Sequence, residues 1–188
     1  LHIQISLLEH LSLSSLRLDL LNSYKERSTW HLYDLKITKT GLLEGDPFDA
    51  ITFTVQDVTE GHGQYLLFEQ QADGSWKKTG DTEEAQATRL TLDEKRELHL
   101  SGLPAGSYGI FEQTEQEGYF PELNGTSIDL LPVSMTDYTL SPGSMAVGSQ
   151  NEKLPLTVEG DTAVFAIRNI PDGSEIHAPV KSVRNADG

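Results

Sequence analysis

The sequence predicts an all-β chain, arranged as a sandwich or barrel, on three observations. From Leu35 onward, apolar residues recur at every second position in short runs, which is the period of a strand with one buried face. Turn residues separate the runs at the spacings expected of neighbouring strands. No convincing helical pattern interrupts the series.

Leu35 to Thr40 is the first clear strand and is ended by Gly41. Ile51 to Val55 alternates cleanly, with Ile51, Phe53 and Val55 on one face. Gln64 to Gln70 and Trp76 to Thr79 flank Ala72-Asp73-Gly74-Ser75, where Asp-Gly supplies the positive φ angles of a tight hairpin. Arg89 to Leu92 and Glu97 to Leu100 are joined by the polar turn Asp93-Glu94-Lys95. Ser107 to Thr114 follows, and Leu154 to Val158 pairs with Thr162 to Asn169 across Glu159-Gly160-Asp161 as a closing hairpin. The first 34 residues read two ways. Leu11, Leu13, Leu16, Leu18 and Leu20 fit a strand with a bulge at Ser14-Ser15, while Leu7, Leu8, Leu11 and Leu18 fit one helix face. The expected organisation is a flanking segment over 1–34, one domain over 35–172 and a polar tail or linker over 173–188.

The 188 residues suffice for one domain with a real core. Twenty-nine acidic residues against 14 Lys and Arg give a formal charge of −15. That charge repels nucleic-acid phosphates and anionic membrane surfaces, so neither is an expected partner. The absence of cysteine excludes disulfides and thiol chemistry. No stretch approaches the roughly 18 apolar residues of a membrane helix. Leu1 to Leu8 lacks the basic region and cleavage site of a signal peptide, so the chain reads as a fragment or mature piece.

Strand phase identifies polar residues aimed at the core. Lys39 is in phase with Leu35 and Ile37 and Lys36 is not; Glu112 shares a face with Tyr108 and Ile110; Asn169 shares one with Phe165 and Ile167. Burying a lone charge is very costly, so such residues are normally paired, neutralised or chemically consumed. Taken singly, each also fits a strand-end residue whose head reaches water.

Gly102-Leu103-Pro104-Ala105-Gly106-Ser107-Tyr108-Gly109-Ile110-Phe111-Glu112, followed by Gly118-Tyr119, resembles the hallmark of Cna-B domains of Gram-positive surface proteins. In that family a Gly-Leu-Pro-x-Gly turn leads into a Tyr-x-aliphatic-x-Glu strand. Leu35 to Thr40 resembles the family's first strand, with the crosslinking lysine at Lys39, and Val164 to Asn169 resembles its last, ending on the acceptor asparagine. The resemblance covers about residues 35 to 172. It implies an immunoglobulin-like β-sandwich of prealbumin type and an isopeptide bond between Lys39 and Asn169 that forms without enzyme or cofactor. Glu112 would polarise the Asn169 carbonyl and relay protons to the leaving ammonia. Desolvation favours the uncharged amine and the uncharged acid that this chemistry needs.

The resemblance further implies a structural stalk or pilin-type module on the bacterial cell surface, anchored to the wall through regions outside this chain, with neighbouring domains of the same protein as partners. A second reading is an adhesin domain that contacts a host extracellular protein through loops such as Gly118 to Ser127 or Leu140 to Gln150. An enzyme would need paired carboxylates in a cleft or a nucleophile with its base, and no such motif is present. A shaft-forming pilin is put in doubt, because the sequence shows neither the Leu-Pro-x-Thr-Gly signal through which family pilins are often polymerised nor an evident pilin-linking lysine motif. His2, His10, His31, His62, His99 and His177 form no short-spaced zinc cluster, so no metal is expected. Asn124-Gly125-Thr126 matches a glycosylation sequon that carries little weight, and Trp30 and Trp76 fit core or hairpin packing better than a binding surface.

Overall fold

Alternation along the chain is converted into two stacked layers. The computed structural model describes residues 31–43, 45, 48–113, 118–121, 125–134 and 136–171. Most of the expected flanking segment, the tail, Trp30 and Asn124 lie outside these residues. The strands are β1 (Tyr33–Thr40), β2 (Thr52–Asp57), β3 (Tyr65–Gln70), β4 (Trp76–Thr82), β5 (Leu90–Thr91), β6 (Glu97–Leu103), β7 (Gly106–Glu112), β8 (Tyr119–Pro121), β9 (Thr126–Leu130), β10 (Met145–Gly148), β11 (Lys153–Leu154), β12 (Leu156–Glu159) and β13 (Thr162–Pro171). A single 3₁₀ turn at Glu84–Gln86 is the one helical element among the described residues.

One layer runs β11-β10-β9-β7-β2 and the other β4-β6-β1-β13-β12. The β3–β4 hairpin bridges them on one side: β3 meets β2 at the single pair Gln56–Tyr65, and β4 runs parallel to β6 at Trp76–Leu100 and Lys77–Ser101. On the other side the chain passes from β11 to β12 through Pro155, a residue that cannot donate to a ladder and so suits a strand changing sheets. The inward faces carry Leu35, Ile37, Phe53, Val55, Leu98, Leu100, Ile110, Ile128 and Phe165, all buried. The fold is thus the expected all-β sandwich.

Gly102-Leu103-Pro104-Ala105-Gly106-Ser107-Tyr108 has a local physical explanation. Gly102 takes a φ of 80°, and Leu103 is fully buried. The Tyr108 hydroxyl, also buried, donates to the Pro104 carbonyl at 2.7 Å, which staples the turn to the strand that follows it. Gly106 admits the Thr59 hydroxyl so closely that a Cβ would lie 2.5 Å from it.

Three expectations are corrected. The Arg89 to Leu92 run does not pair with Glu97 to Leu100. Asp93 closes the turn by accepting from the Lys95 and Glu97 amides, but Leu90 crosses to the other layer and pairs with Phe53, where its side chain is fully buried. The segments read as loops, Gly118 to Ser127 and Leu140 to Gln150, contain β8, the start of β9 and β10. β10 has no strong alternation because its inward residues are the small Ala146 and Gly148. The last strand also continues past Asn169, because Asn169, Ile170 and Pro171 pair with β8.

Candidate functional site

The terminal strands of the domain lie side by side. β1 pairs with β13 in parallel from Asp34–Thr162 to Thr40–Arg168 and with β6 on its other edge. Tyr33, Leu35, Ile37 and Lys39 alternate inward, so Lys39 lies among apolar side chains with its residue only 2% exposed. Asn169 is fully buried where β13 moves from one set of strand neighbours to β8. Glu112 ends β7 in the opposite layer, directly across from Phe53.

These side chains meet between the layers. Lys39 Nζ donates to Glu112 Oε2 at 2.5 Å and to Asn169 Oδ1 at 2.7 Å. Asn169 Nδ2 donates to Glu112 Oε1 at 3.3 Å. The amide orientation follows from its neighbours, since an amine donor faces the carbonyl oxygen and a carboxylate faces the NH₂. One carboxylate therefore spans both nitrogens, the one that would attack and the one that would leave. This differs from the expectation that Glu112 polarises the carbonyl: Asn169 Oδ1 takes its hydrogen bond from Lys39.

The surroundings are buried and include an aromatic wall. Lys39 Nζ lies 5.6 Å from the centre of the fully buried Phe53 ring. Desolvation pulls the Lys39 ammonium down from its ordinary value, opposed in part by its hydrogen bond and charge interaction with Glu112. Strand phase puts Phe53 on the core face, but no local pattern marks it as a wall of this site.

Lys36, three residues earlier, points the other way. Its Nζ pairs with Glu97 at 2.9 Å, and a third of its side chain is exposed. Asp93, Glu97 and His99 bring ligand-capable atoms within 4.8 Å of one another at the partly exposed end of β6. Glu97 in that group is already engaged by Lys36 and by His99. Trp76 packs against the core, as its hairpin position suggested. A groove of about 290 Å³ lies between Val58, Phe111, Ser127 and Val147, and it draws its lining from both segments considered as binding loops.

No protein-family model matches the chain, and no curated protein matches it. Solved structures similar to it include three pilin proteins. A group B streptococcus pilus 2b backbone protein is 17% identical with a TM-score of 0.44, covering 75% of this chain and 42% of its own. The C-terminal domain of the shaft pilin SpaA from Lactobacillus rhamnosus GG is 13% identical with a TM-score of 0.41, covering 75% of this chain and 98% of its own. A streptococcal ancillary pilin is 13% identical with a TM-score of 0.44, covering 74% of this chain and 32% of its own. The chain thus spans less than half the length of the backbone and ancillary proteins.

Proposed function

We propose that the chain is a Cna-B-type domain of a Gram-positive surface protein, a stalk or pilin-type module locked by an amide bond that Lys39 and Asn169 form on their own. The observation that supports this reading best is a single buried carboxylate in contact with both nitrogens of the exchange.

In the proposed reaction Lys39 Nζ, as the neutral amine, attacks Asn169 Cγ. The Nζ–Cγ bond forms and the Cγ–Nδ2 bond breaks. Glu112 takes a proton from Nζ through Oε2 and delivers one to Nδ2 through Oε1, so that Asn169 loses ammonia and the carboxyl group is regenerated. The folded strands supply proximity, which can remove roughly 7–11 kcal/mol of barrier. The event happens once per chain and is not enzymatic turnover.

The test is intact mass followed by peptide mapping. Folded protein is expected to weigh less than its sequence mass by one ammonia and to yield a branched peptide joining Lys39 to Asn169. Lys39→Ala abolishes the loss and Lys36→Ala leaves it intact. An unmodified mass in folded protein refutes the crosslink, and a branch at Lys36 refutes the assignment of the lysine.

The rate should also depend on pH in a defined direction. The reaction needs Lys39 as the neutral amine. Burial lowers the Lys39 value, so the folded chain frees that amine at lower pH than an exposed lysine does. Ammonia loss in freshly folded chain should therefore speed up as pH rises, with a midpoint below 10.5, the ordinary lysine value. A rate that rises only at or above that pH contradicts attack by a buried neutral amine.

A further inference from the structure

Arg96 stands in the turn between β5 and β6 with a φ of 61°, a left-handed conformation that L residues other than Asn and Asp adopt against a steric cost. The turn itself uses only its amide, which donates to the Asp93 carbonyl at 2.9 Å. The remaining groups of Arg96 face the candidate crosslink. Its carbonyl accepts from the Lys39 amide at 2.8 Å. Its guanidinium donates through Nη1 to the Leu42 carbonyl at 3.2 Å and through Nη2 to the Leu43 carbonyl at 3.0 Å, and it lies 5.4 Å from the centre of the Phe48 ring.

The segment held in this way leads straight from Lys39 to Asn169. Gly41, at a φ of 85°, brings its Cα against the Asn169 backbone, and a Cβ there would lie 1.9 Å from the Asn169 carbonyl oxygen. Two residues on, the Leu43 amide donates to the Tyr119 hydroxyl at 3.2 Å. Tyr119 belongs to β8, the strand that pairs with Asn169 through Pro171. Residues 41–43 are therefore a strap between the end of β1 and the backbone that carries Asn169, and Arg96 grips both the strap and Lys39.

We infer that Arg96 is a positioning residue for amide formation: its carbonyl sets the backbone of Lys39, and its guanidinium holds the strap against Asn169 so that the amine meets the side-chain amide. This rests on the crosslinking reading above. A bidentate fork onto two successive carbonyls is a geometry that guanidinium provides and a lysine ammonium provides only in part. The left-handed backbone places that fork beside the strap.

The test is a pulse–chase of cell-free translated full chain, with intact mass read over time and the folded fraction measured by trypsin resistance. Arg96→Gly keeps the positive φ and removes the fork, and Arg96→Lys keeps the charge and loses the bidentate grip. Per folded chain, ammonia loss is expected to slow by about tenfold or more in Arg96→Gly, the scale on which small misplacements act, and to fall between that rate and the unaltered rate in Arg96→Lys. A merely structural role would lower the folded fraction without changing the rate per folded chain, and that result overturns the inference. If Arg96→Gly fails to fold, Arg96→Lys decides, since linking at the unaltered rate there also overturns it. Absence of ammonia loss in the unaltered chain refutes the crosslinking reading and this inference together, whereas normal linking in the variants refutes this inference alone.

Discussion

Lys39→Met protein is expected to melt lower than the unaltered domain by on the order of 15 °C and to be cut faster by trypsin. Lys39 and Asn169 are 130 positions apart, and closing a loop of that length stabilises by about 5 kcal/mol in the chain-entropy account. For a domain of this size each kcal/mol moves the midpoint by a few degrees. The substitution also leaves Glu112 and Asn169 without their common donor, which adds the cost of an unpaired buried carboxylate. Lys39→Met/Glu112→Gln removes that second cost and should recover only part of the loss. Melting points for the double variant and the unaltered domain that coincide would show that no link stabilises the fold.

The same variant should behave differently under force. β1 and β13 are parallel neighbours, so in the proposed linked form tension entering at Tyr33 would run along β1 to Lys39, cross the amide to Asn169 and leave through the last residues of β13. The chain between the two residues would then carry no load. Stretching the unaltered domain should release none of those 130 positions, whereas Lys39→Met should release about 45 nm of contour at roughly 3.5 Å per residue. A release of that length from unaltered protein would refute the link.

Glu112→Gln is expected to slow ammonia loss by about 10²-fold or more, within the range for removing a positioned acid–base group. Glutamine keeps the shape, but its single carbonyl oxygen can accept from only one of the two donors, and it cannot take a proton from Lys39 Nζ and return one to Asn169 Nδ2. Glu112→Ala should leave the two partners unlinked in a recognisable fold. Ammonia loss at the unaltered rate in either variant would remove Glu112 from the mechanism. The role at stake is the bridge between the two nitrogens, with contacts of 2.5 and 3.3 Å.

Much of the layer structure was legible because strand alternation reports burial directly. Leu35 and Ile37 assign Lys39 to the core and Lys36 to the surface by period alone, and the structure places both accordingly. The hairpin at Asp73-Gly74 was legible because its left-handed position favours glycine, with Gly74 at a φ of 86°, while Asp73 serves through its side chain, which accepts from the Ser75 amide. β8 has only three residues and so no period to read, and the Leu154 to Val158 run, read as one strand, is split at Pro155 into the end of β11 and the start of β12. β5 was assigned the wrong partner because local turn chemistry cannot tell whether the next strand stays in the sheet or crosses.

By itself the sequence determined which faces are buried, where the tight turns fall and which three polar residues point inward, because these depend on neighbours one to four positions away. Only the tertiary structure decided that Glu112 from the opposite layer spans the two nitrogens, that Phe53 walls the site, and that Arg96 and Gly41 hold the strap against Asn169. Those contacts join residues 40 or more positions apart in most cases. Their geometry is set by how two twisted sheets stack, a property that no local period encodes.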